Sequence, residues 1–469
     1  MKSFLVIALS LLTAWSVLAL VLKPEPPPEG ITRLVWVSDN NPARQEQIQL
    51  FNELGEGRGL VLDYGNGGVE KIIVQSASGV GPDIFDTFNL AQLESIVEAG
   101  IAQDLSELPQ AEAYDADDLW PAARDGLIFN GGQWGYPANI NVNILIYNKN
   151  VFDRFGVPYP EPHESMSWEA FLALARELTD ESANIYGILG FDWKNMVAFR
   201  KAQYFSEDGT ELLIDTPAMR EVFRQCRDLI YKHEVQVSSL ELKSMMTQGG
   251  WGGGGSVNQF ATGNFAMLNL GKWSIIGFQR ALQTQKRQLA KWEDDPDGPK
   301  PEVLRLGSTL LPHFTDVGAP SYLINTRAAA INSRSENKEM AADFIAYLAG
   351  PEYSRSINSS HDALPGNPAY ANLGLAEGPP EFNVPEMHKN TVQSMDFGMV
   401  PRTSPFLLSF DVETELEKQW SRIEADPDIT VEQVLRDAQR QLERLMRRNI
   451  DRSPHLQELW LEKTGEPWS

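Results

Sequence analysis

One uninterrupted segment, Gly132 to Asn150, constrains the fold more than any other part of the chain. After a glycine-containing turn, apolar residues alternate with others from Val142 to Tyr147, which is the pattern of one long β-strand. The residues just before it, Pro137 to Asn141, include the polar residues Asn139 and Asn141. Because buried polar groups need hydrogen-bond partners, this stretch is expected at the floor of a cleft or between two packed bodies. The sequence therefore predicts a hinge here.

Length and charge limit the possible functions. The chain has 469 residues, 42% of them hydrophobic, and about 150 residues per domain favours two or three domains, so two lobes fit. Its net charge of −24 argues against a nucleic-acid partner, which would need clustered Lys and Arg. The single cysteine, Cys226, excludes an intrachain disulfide and a cysteine-based metal site, and the histidines show no ligand spacing. No cofactor is expected, and the protein is expected to be a monomer.

The N-terminal residues predict export from the cytoplasm. Lys2 precedes the apolar run Phe4 to Leu22, which is longer than the core of an ordinary signal peptide and close to the length that spans a bilayer. Residues 1–22 are therefore either a cleaved signal peptide or a membrane anchor. Residues 23–30, KPEPPPEG, are predicted to form a proline-rich linker, extended and semi-rigid.

Polar residues follow two of the predicted strands of the first half of the chain. Strand and helix patterns alternate after the linker, which favours an α/β sheet. One strand is predicted to end before Asp39 and Asn40, and another, Pro82 to Phe85, before Asp86 and Asn89. In doubly wound sheets, ligands bind at the carboxyl ends of the strands. These four side chains are therefore predicted to face a ligand.

Three tryptophans in predicted loops could cover apolar faces of a ligand. Trp193 is expected in a loop, and Trp273 follows a predicted strand, Phe265 to Leu270. Trp251 lies in the glycine-rich segment Gln248 to Ser256, which lacks the Lys-Ser/Thr pair of a P-loop and indicates a mobile lid rather than a nucleotide site. The alternative for Trp193 is a half-buried anchor of its loop, and the alternative for Trp273 is packing in the core. For Trp251 the alternative is a disordered surface loop.

Five segments occur in the order found in one protein family. They are GPDIFDTFNLAQLESIVEAGIAQDLSEL, GQWGYPANINVNILIYNKNVFDRFGVPYPEP, SMSWEAFLALARELT, FATGNFAMLNLGKW and SRSENKEMAADFIAYLAGPE. With these segments the chain resembles the extracellular solute-binding proteins of carbohydrate ABC transporters, the group that includes maltose-binding protein. The resemblance covers most of Ile31 to about Arg448. Its most specific element is the YNK-F-G motif followed by SW-E.

The resemblance implies a fold as well as a function. The expected class is α/β, a type II periplasmic-binding-protein fold whose two discontinuous lobes are joined by a hinge and close on a ligand. The N-terminal lobe is predicted to comprise 31–140 and 313–352, and the C-terminal lobe 141–312 and 353–450, followed by a tail at 451–469. The chain is expected to cross between lobes near Ala138 to Val142, Pro312 to Ala319 and Gly350 to Ser354.

The resemblance implies a sugar-binding component of an ABC importer, without catalysis, which delivers its ligand to permease subunits. It would work in the periplasm or elsewhere outside the cytoplasmic membrane, free or tethered by its N-terminal segment. Two alternatives stay open: a membrane-anchored sugar sensor or adaptor, and a secreted glycoside hydrolase that uses two opposed carboxylates such as Asp86 and Asp192. The predicted ligand is a neutral mono- or oligosaccharide. The predicted binding residues are Asp39, Asn40, Asp86, Asn89 and Asn139 on the first lobe or hinge, and Trp193, Trp251, Trp273 and Arg402 on the second.

Overall fold

A computed structural model describes residues 29–55, 59–245, 254–426 and 428–468. The predicted signal peptide or anchor, most of the proline-rich linker, and Trp251 with most of its glycine-rich segment lie outside the described residues. Within the described ranges, no helix has both the length and the apolar composition needed to cross a membrane.

The secondary structure alternates between strands and helices, as the sequence predicts. The strands are β1 (Thr32–Ser38), β2 (Leu60–Asn66), β3 (Ile84–Thr87), β4 (Ile128–Phe129), β5 (Gly132–Gln133), β6 (Tyr136–Asn148), β7 (Tyr186–Leu189), β8 (Phe265–Gly271), β9 (Leu306–Thr309), β10 (Tyr322–Ile331) and β11 (Gly398–Met399). The helices of the first half are α1 (Ala43–Gly55), α2 (Val69–Ala77), α3 (Leu90–Glu98), α4 (Pro121–Asp125), α5 (Lys149–Phe155), α6 (Trp168–Glu177), α7 (Trp193–Phe199) and α8 (Pro217–Tyr231). The later helices are α9 (Ser239–Met245), α10 (Gly254–Ala261), α11 (Ile275–Asp294), α12 (Lys338–Ala349), α13 (Pro351–Ser359), α14 (Val384–Ser394), α15 (Ser409–Ala425), α16 (Val431–Arg452) and α17 (Pro454–Thr464).

One continuous sheet runs through both lobes. Its strand order is β2-β1-β3-β10-β6-β8-β7, with β11 paired to β10 and β9 paired to β6. Strand β1 is parallel to β2 and β3, whereas β10 is antiparallel to both β3 and β6. Beyond β6, strands β8 and β9 pair with it in antiparallel fashion, and β7 is parallel to β8.

Strand β6, the core of the segment that the sequence singles out, belongs to both lobes. Its N-terminal half pairs with β10, from Tyr136 opposite Ala329 to Val142 opposite Ile324. Its C-terminal half lies between β8 and β9, so that Leu145 is opposite both Asn269 and Thr309. Because one strand is hydrogen-bonded into both halves of the sheet, β6 joins the lobes as the predicted hinge would.

Separate hydrophobic cores mark the two lobes. The first contains Trp36 and Phe344, whose ring centroids are 4.9 Å apart, together with the helices that cover the β1 side of the sheet. The second contains Trp168 and Phe314, with centroids 4.6 Å apart, and most of the chain after β6. A smaller cluster packs around Phe260 on the far side of β8.

The later crossings between lobes lie further along the chain than predicted. Tyr322 packs in the second core, so the return crossing is β10 itself rather than Pro312 to Ala319. Tyr353 packs in the first core, although the sequence assigns it to the second lobe. The reason is local: Gly350 ends α12, but Pro351 at the first position of α13 starts another helix on the same lobe. The third crossing therefore follows α13, where Leu364 bridges to the hinge strand.

The C-terminal tail docks on the second lobe. Helix α17 is followed by Trp468, whose indole nitrogen Nε1 donates to Asp451 Oδ1 at 2.8 Å. Trp460 packs edge-on against Phe406, with ring centroids 5.3 Å apart. Trp460 and Trp468 thus hold the tail against α16 and its neighbours.

Candidate functional site

A cavity of about 520 Å³ lies between the two lobes, on one face of the crossing strands. Its floor carries side chains that alternate along each strand: Asn139, Asn141 and Asn143 on β6, and Leu323, Asn325 and Arg327 on β10. The residues in between, such as Ile140 and Ile324, point into the second core. The period of two therefore puts one polar row in the cleft and one apolar row behind it, as the sequence pattern of β6 predicts.

The amides of the floor are held in place by few contacts. Asn139 Nδ2 donates to the carbonyl oxygen of Asp362 at 3.1 Å, and Asn141 Nδ2 donates to Asn143 Oδ1 at 3.1 Å. The buried oxygen Oδ1 of Asn141 has no hydrogen-bond partner within the described structure. A buried acceptor without a partner is unfavourable, and a ligand hydroxyl in the cavity would supply a donor.

The first-lobe wall contributes Asp39 and Phe88. Asp39 follows β1, as predicted. Phe88 follows β3 directly, and 40% of its surface is exposed, which is unusual for a large aromatic side chain. Phe88 is not among the predicted ligand residues, although a signal was present, since it is an aromatic residue at the carboxyl end of a predicted strand.

The second-lobe wall contributes Trp273, Asp192, Lys194 and Asn195. Trp273 is half-buried and follows β8 after one intervening residue, as predicted. Asp192 caps α7, because its Oδ1 accepts from the backbone nitrogen of Asn195 at 2.9 Å. Lys194 pairs with Glu413 of α15 at 2.7 Å. Trp273 and Phe88 therefore lie on opposite walls of the cleft.

A buried network of two arginines and three aspartates supports the first-lobe side of the floor. Arg44 Nε lies 2.7 Å from Asp39 Oδ1, and Arg44 Nη1 lies 2.7 Å from Asp362 Oδ2. Arg327 lies 3.4 Å from Asp86 and 3.6 Å from Asp362, measured between its Nη atoms and the nearer carboxylate oxygens. Of these residues, Asp39, Arg327 and Asp362 line the cavity.

Asp86, one of the predicted ligand residues, is not among the residues that line the cavity. Its side chain is fully buried and accepts from Trp36 Nε1 at 2.8 Å and from Ser38 Oγ at 2.5 Å. Burial raises the pKa of its carboxyl group, while Arg327 opposes that shift. Strand β3 ends two residues later than predicted, so Asp86 lies inside it. Its carboxylate pairs with Arg327 instead of facing the cavity.

Trp193 is a core residue rather than a loop residue. Only 1% of its surface is exposed, because Asp192 starts a helix with Trp193 as its first residue. Its Nε1 donates to Glu417 Oε2 at 3.0 Å, and its ring lies 5.9 Å from that of Phe223. Neither interpretation of the sequence, a ligand-facing loop residue or a half-buried loop anchor, describes this buried helical position.

The remaining predicted residues of the described chain lie away from the cavity lining. Asn40 is exposed beside Asp39. Asn89 caps α3, because its Oδ1 accepts from Gln92 N at 2.9 Å. Arg402 is exposed, and its backbone nitrogen donates to Gln203 Oε1 at 2.7 Å. Of the predicted residues that the structure describes, Asp39, Asn139 and Trp273 come together at the cavity. Trp251 lies outside the described residues.

A buried lysine lies directly behind the second-lobe wall. Lys272 is completely buried, and its Nζ lies 3.0 Å from Nδ1 of His388, whose Nε2 lies 3.1 Å from Asn372 Oδ1. Burial lowers the pKa of Lys272 to about 7, an effect that the carboxylate of Asp362 partly opposes. No local sequence pattern indicates this arrangement, since its members lie in distant segments.

Comparison with known proteins identifies the family. The family model described as "Bacterial extracellular solute-binding protein" matches residues 38–354. The chain belongs to this family. The match confirms the resemblance deduced from the five sequence segments, and it places the protein among extracellular binding proteins, a family defined by binding rather than by catalysis.

Relatives of this extracellular solute-binding protein bind carbohydrates or polyols, according to their names. An arabinooligosaccharide-binding protein of Halalkalibacterium halodurans is 24% identical over 283 residues, which cover 59% of this chain and 56% of the relative. An erythritol/L-threitol-binding protein of Mycolicibacterium smegmatis is 30% identical over 122 residues, which cover 22% of this chain and 24% of the relative. The chain thus matches these curated relatives over little more than half of their length at most.

Solved structures of similar fold cover nearly the whole of this solute-binding protein. An ABC substrate-binding protein from Listeria monocytogenes in complex with cycloalternan has a TM-score of 0.70 at 19% identity, and the match covers 89% of this chain and 99% of the other. A cyclo/maltodextrin-binding protein complexed with maltotetraose has a TM-score of 0.65 at 16% identity, over 92% of this chain and 99% of the other. These matches confirm the two-lobe type II fold.

Proposed function

We propose that this protein captures a neutral mono- or oligosaccharide between its lobes and delivers it to the permease subunits of an ABC importer. One observation carries the proposal: a row of amides forms the floor of an interlobe cavity whose opposite walls carry Phe88 and Trp273. The cavity volume of about 520 Å³ falls in the range of roughly 300–1,000 Å³ that is usual for ligand pockets.

The polar groups of the cleft suit hydroxyls. Each sugar hydroxyl can donate one hydrogen bond and accept others, and carboxylates and amides together offer both kinds of partner. Asp39, Asp192 and Asp362 supply acceptors, while Asn141 and Asn143 supply amides that can also donate. The lining cations Arg327 and Lys194 are already paired with carboxylates. An anionic sugar would therefore gain little binding energy from them. A neutral ligand is therefore favoured.

The aromatic groups suit the apolar C–H faces of a sugar ring. An indole and a phenyl ring on opposite walls can cover both faces of the ring while the lobes are closed. Phe88 belongs to the first lobe and Trp273 to the second, so their separation depends on the angle between the lobes. This arrangement favours closure around the ligand, in which rotation about β6 and β10 completes the site.

Calorimetry of the purified protein against a panel of neutral sugars and polyols tests the function. The panel contains arabinotriose, maltotriose, glucose and erythritol, chosen after the relatives, with glucose 6-phosphate as the anionic comparison. We expect one neutral class to bind, to quench or enhance tryptophan fluorescence, and to compact the protein in small-angle scattering. Hydrolysis of an oligosaccharide during the titration would support the hydrolase alternative, and identical scattering with a tight ligand would contradict closure.

Trp273→Ala is expected to weaken the binding of the best sugar by at least about tenfold, because a buried aromatic anchor commonly contributes 1–2 kcal/mol or more. The matched control is Trp292→Ala, which removes a tryptophan of α11 whose Nε1 donates to Gly298 outside the cleft. Binding to the control should equal that of the parent. Equal affinity of Trp273→Ala and the parent protein would place the ligand elsewhere.

We also propose that the protein works outside the cytoplasmic membrane, either freed by cleavage or tethered by residues 1–22. The family to which the chain belongs is described as extracellular, which supports the location. Mass spectrometry of the N-terminal peptide after cell fractionation separates the two forms. An intact N-terminus in the membrane fraction supports the tether, whereas a mature start near Leu20 supports cleavage, and a mainly cytoplasmic protein would contradict both.

A further inference from the structure

Helices α3 and α15 connect the lobes directly, outside the crossing strands. Leu93 and Ile96 of α3 pack in the first core, and Val412 and Leu416 of α15 pack in the second. The two helices nevertheless contact each other. Any rotation of one lobe against the other therefore acts on this contact.

The contact centres on Glu94 and Ser409. The backbone nitrogen of Ser409 donates to Glu94 Oε2 at 3.1 Å, and the two residues are 5% and 3% exposed. Leu408, at the N-cap position of α15, has no side chain that can accept from the helix. The carboxyl group of Glu94 thus caps a helix of the other lobe, which satisfies one of its free N–H groups.

This cap lies next to the cleft. Phe88, six residues before Glu94, lines the cavity, and so does Lys194, which pairs with Glu413 one helical turn after Ser409. When lobes open about a hinge, direct contacts beside the cleft are the ones that separate. The Glu94–Ser409 contact therefore belongs to the closed arrangement.

We propose that Glu94 and Ser409 form an interlobe latch that closes with the cleft, and that protonation of Glu94 strengthens it. The latch regulates the site of the proposed function. Only its predicted effect on ligand affinity depends on that function being correct. Its effect on the angle between the lobes exists without any ligand.

The sign of the pH effect follows from burial. Burial raises the pKa of Glu94 from its usual 4.5 to about 7, the hydrogen bond from Ser409 opposes this shift, and the charge of Glu413 adds to it. The other charged residues on α15 and on the elements packed against α3 are Glu70, Lys71, Asp86, Arg327, Asp411, Glu415, Glu417, Lys418, Arg422 and Glu424. When the lobes open, Glu94 meets water and its pKa returns toward the usual value. Glu94 thus binds a proton more tightly in the closed state than in the open state, so acidification favours closure. Above about pH 7, closure must instead bury a charged carboxylate, which is unfavourable.

Interlobe distances measured without ligand test the latch by itself. Spin labels at Val74→Cys on α2 and Gln288→Cys on α11, in a Cys226→Ala background, report the separation of the lobes by pulsed electron resonance. We expect a larger closed fraction at about pH 5.5 than at about pH 8, and a closed fraction independent of pH in Glu94→Gln, since the neutral amide still accepts from Ser409. The control is Glu98→Gln, an exposed residue of the same helix, which should behave as the parent.

Affinity provides the second readout. For the tightest sugar of the panel, we expect the parent to bind about ten- to thirtyfold more tightly at pH 5.5 than at pH 8, and Glu94→Gln to bind tightly at both. A pH response of the lobe distance in Glu94→Gln equal to that of the parent would overturn the latch. Failure of every sugar to bind would contradict the proposed function while the distance measurement still decides the latch.

Discussion

Arg327→Met is expected to lower the free energy of unfolding by about 3–5 kcal/mol, the loss typical of breaking a buried ion pair by removing one partner. The side chain of Arg327 is 4% exposed, and it donates to Ser38 Oγ, to the carbonyl oxygen of Ala138 and to Tyr353 Oη. Without it, Arg44 alone faces the carboxylates of Asp86, Asp39 and Asp362. Methionine fills most of the volume, so the loss reflects uncompensated charge rather than a cavity.

Urea unfolding at neutral pH measures this loss. Arg305→Met is the matched control, because Arg305 and its partner Asp153 are both about half exposed, and such surface pairs contribute roughly 0–1 kcal/mol. Adding Asp86→Asn to Arg327→Met should recover part of the stability, since it removes one unpaired buried charge. If Arg327→Met unfolded within 1 kcal/mol of the parent, at the level of the surface control, the network would not be held together by charge.

Lys272→Met is expected to stabilise the protein by about 3–4 kcal/mol at about pH 6. Burial lowers the pKa of this lysine from 10.5 to about 7, and each pKa unit corresponds to about 1.4 kcal/mol, which gives about 5 kcal/mol in favour of an uncharged side chain. The lost contact between Nζ and His388 offsets about 1 kcal/mol of this gain. A buried cation beside the cleft thus lowers the stability of the fold.

The stability gained by Lys272→Met should fall as the pH rises. The unfolded chain keeps the proton of Lys272 up to about pH 10.5, whereas the folded chain releases it near pH 7. The cost of charging the buried amine is therefore fully present below pH 7 and declines as the pH rises toward 10.5. Thermal unfolding of Lys272→Met and of an exposed control, Lys286→Met, at about pH 6 and about pH 9 measures the trend. A Lys272→Met protein less stable than the parent at pH 6 would contradict the assignment.

The sequence predicts the fold better than the site, for reasons that particular residues show. The alternation along β6 is a local pattern, so it identified both the strand and its cleft-facing Asn139. Asp86 lies outside the cavity lining because β3 lies between β1 and β10 and is buried on both faces. In such a strand, the sequence pattern does not indicate which side chains face a ligand. Its partner Arg327 lies far away in the sequence, and no local pattern could pair the two.

The tryptophans illustrate the same limit. Trp273 follows a strand that runs to the cleft, and the strand pattern was sufficient to place it. Trp193 follows Asp192, a good helix N-cap, and that signal could have predicted a helix instead of a loop. Its burial depends on Glu417 and Phe223, which are brought near only by the packing of α8 and α15.

The interleaving of the lobes also determines the order in which they can be completed as the chain is synthesised. The first core needs β10, which supplies Ala328 to Ile331, and then Tyr353 and Ile357 of α13. The ribosome makes the whole β6-to-β9 region of the second lobe before any of these residues. Until about three quarters of the chain has emerged, β3 lacks its neighbour β10, and the first lobe has no closed core. We therefore expect the nascent chain to stay loosely structured for most of its synthesis, the condition in which a polypeptide can still be threaded across a membrane.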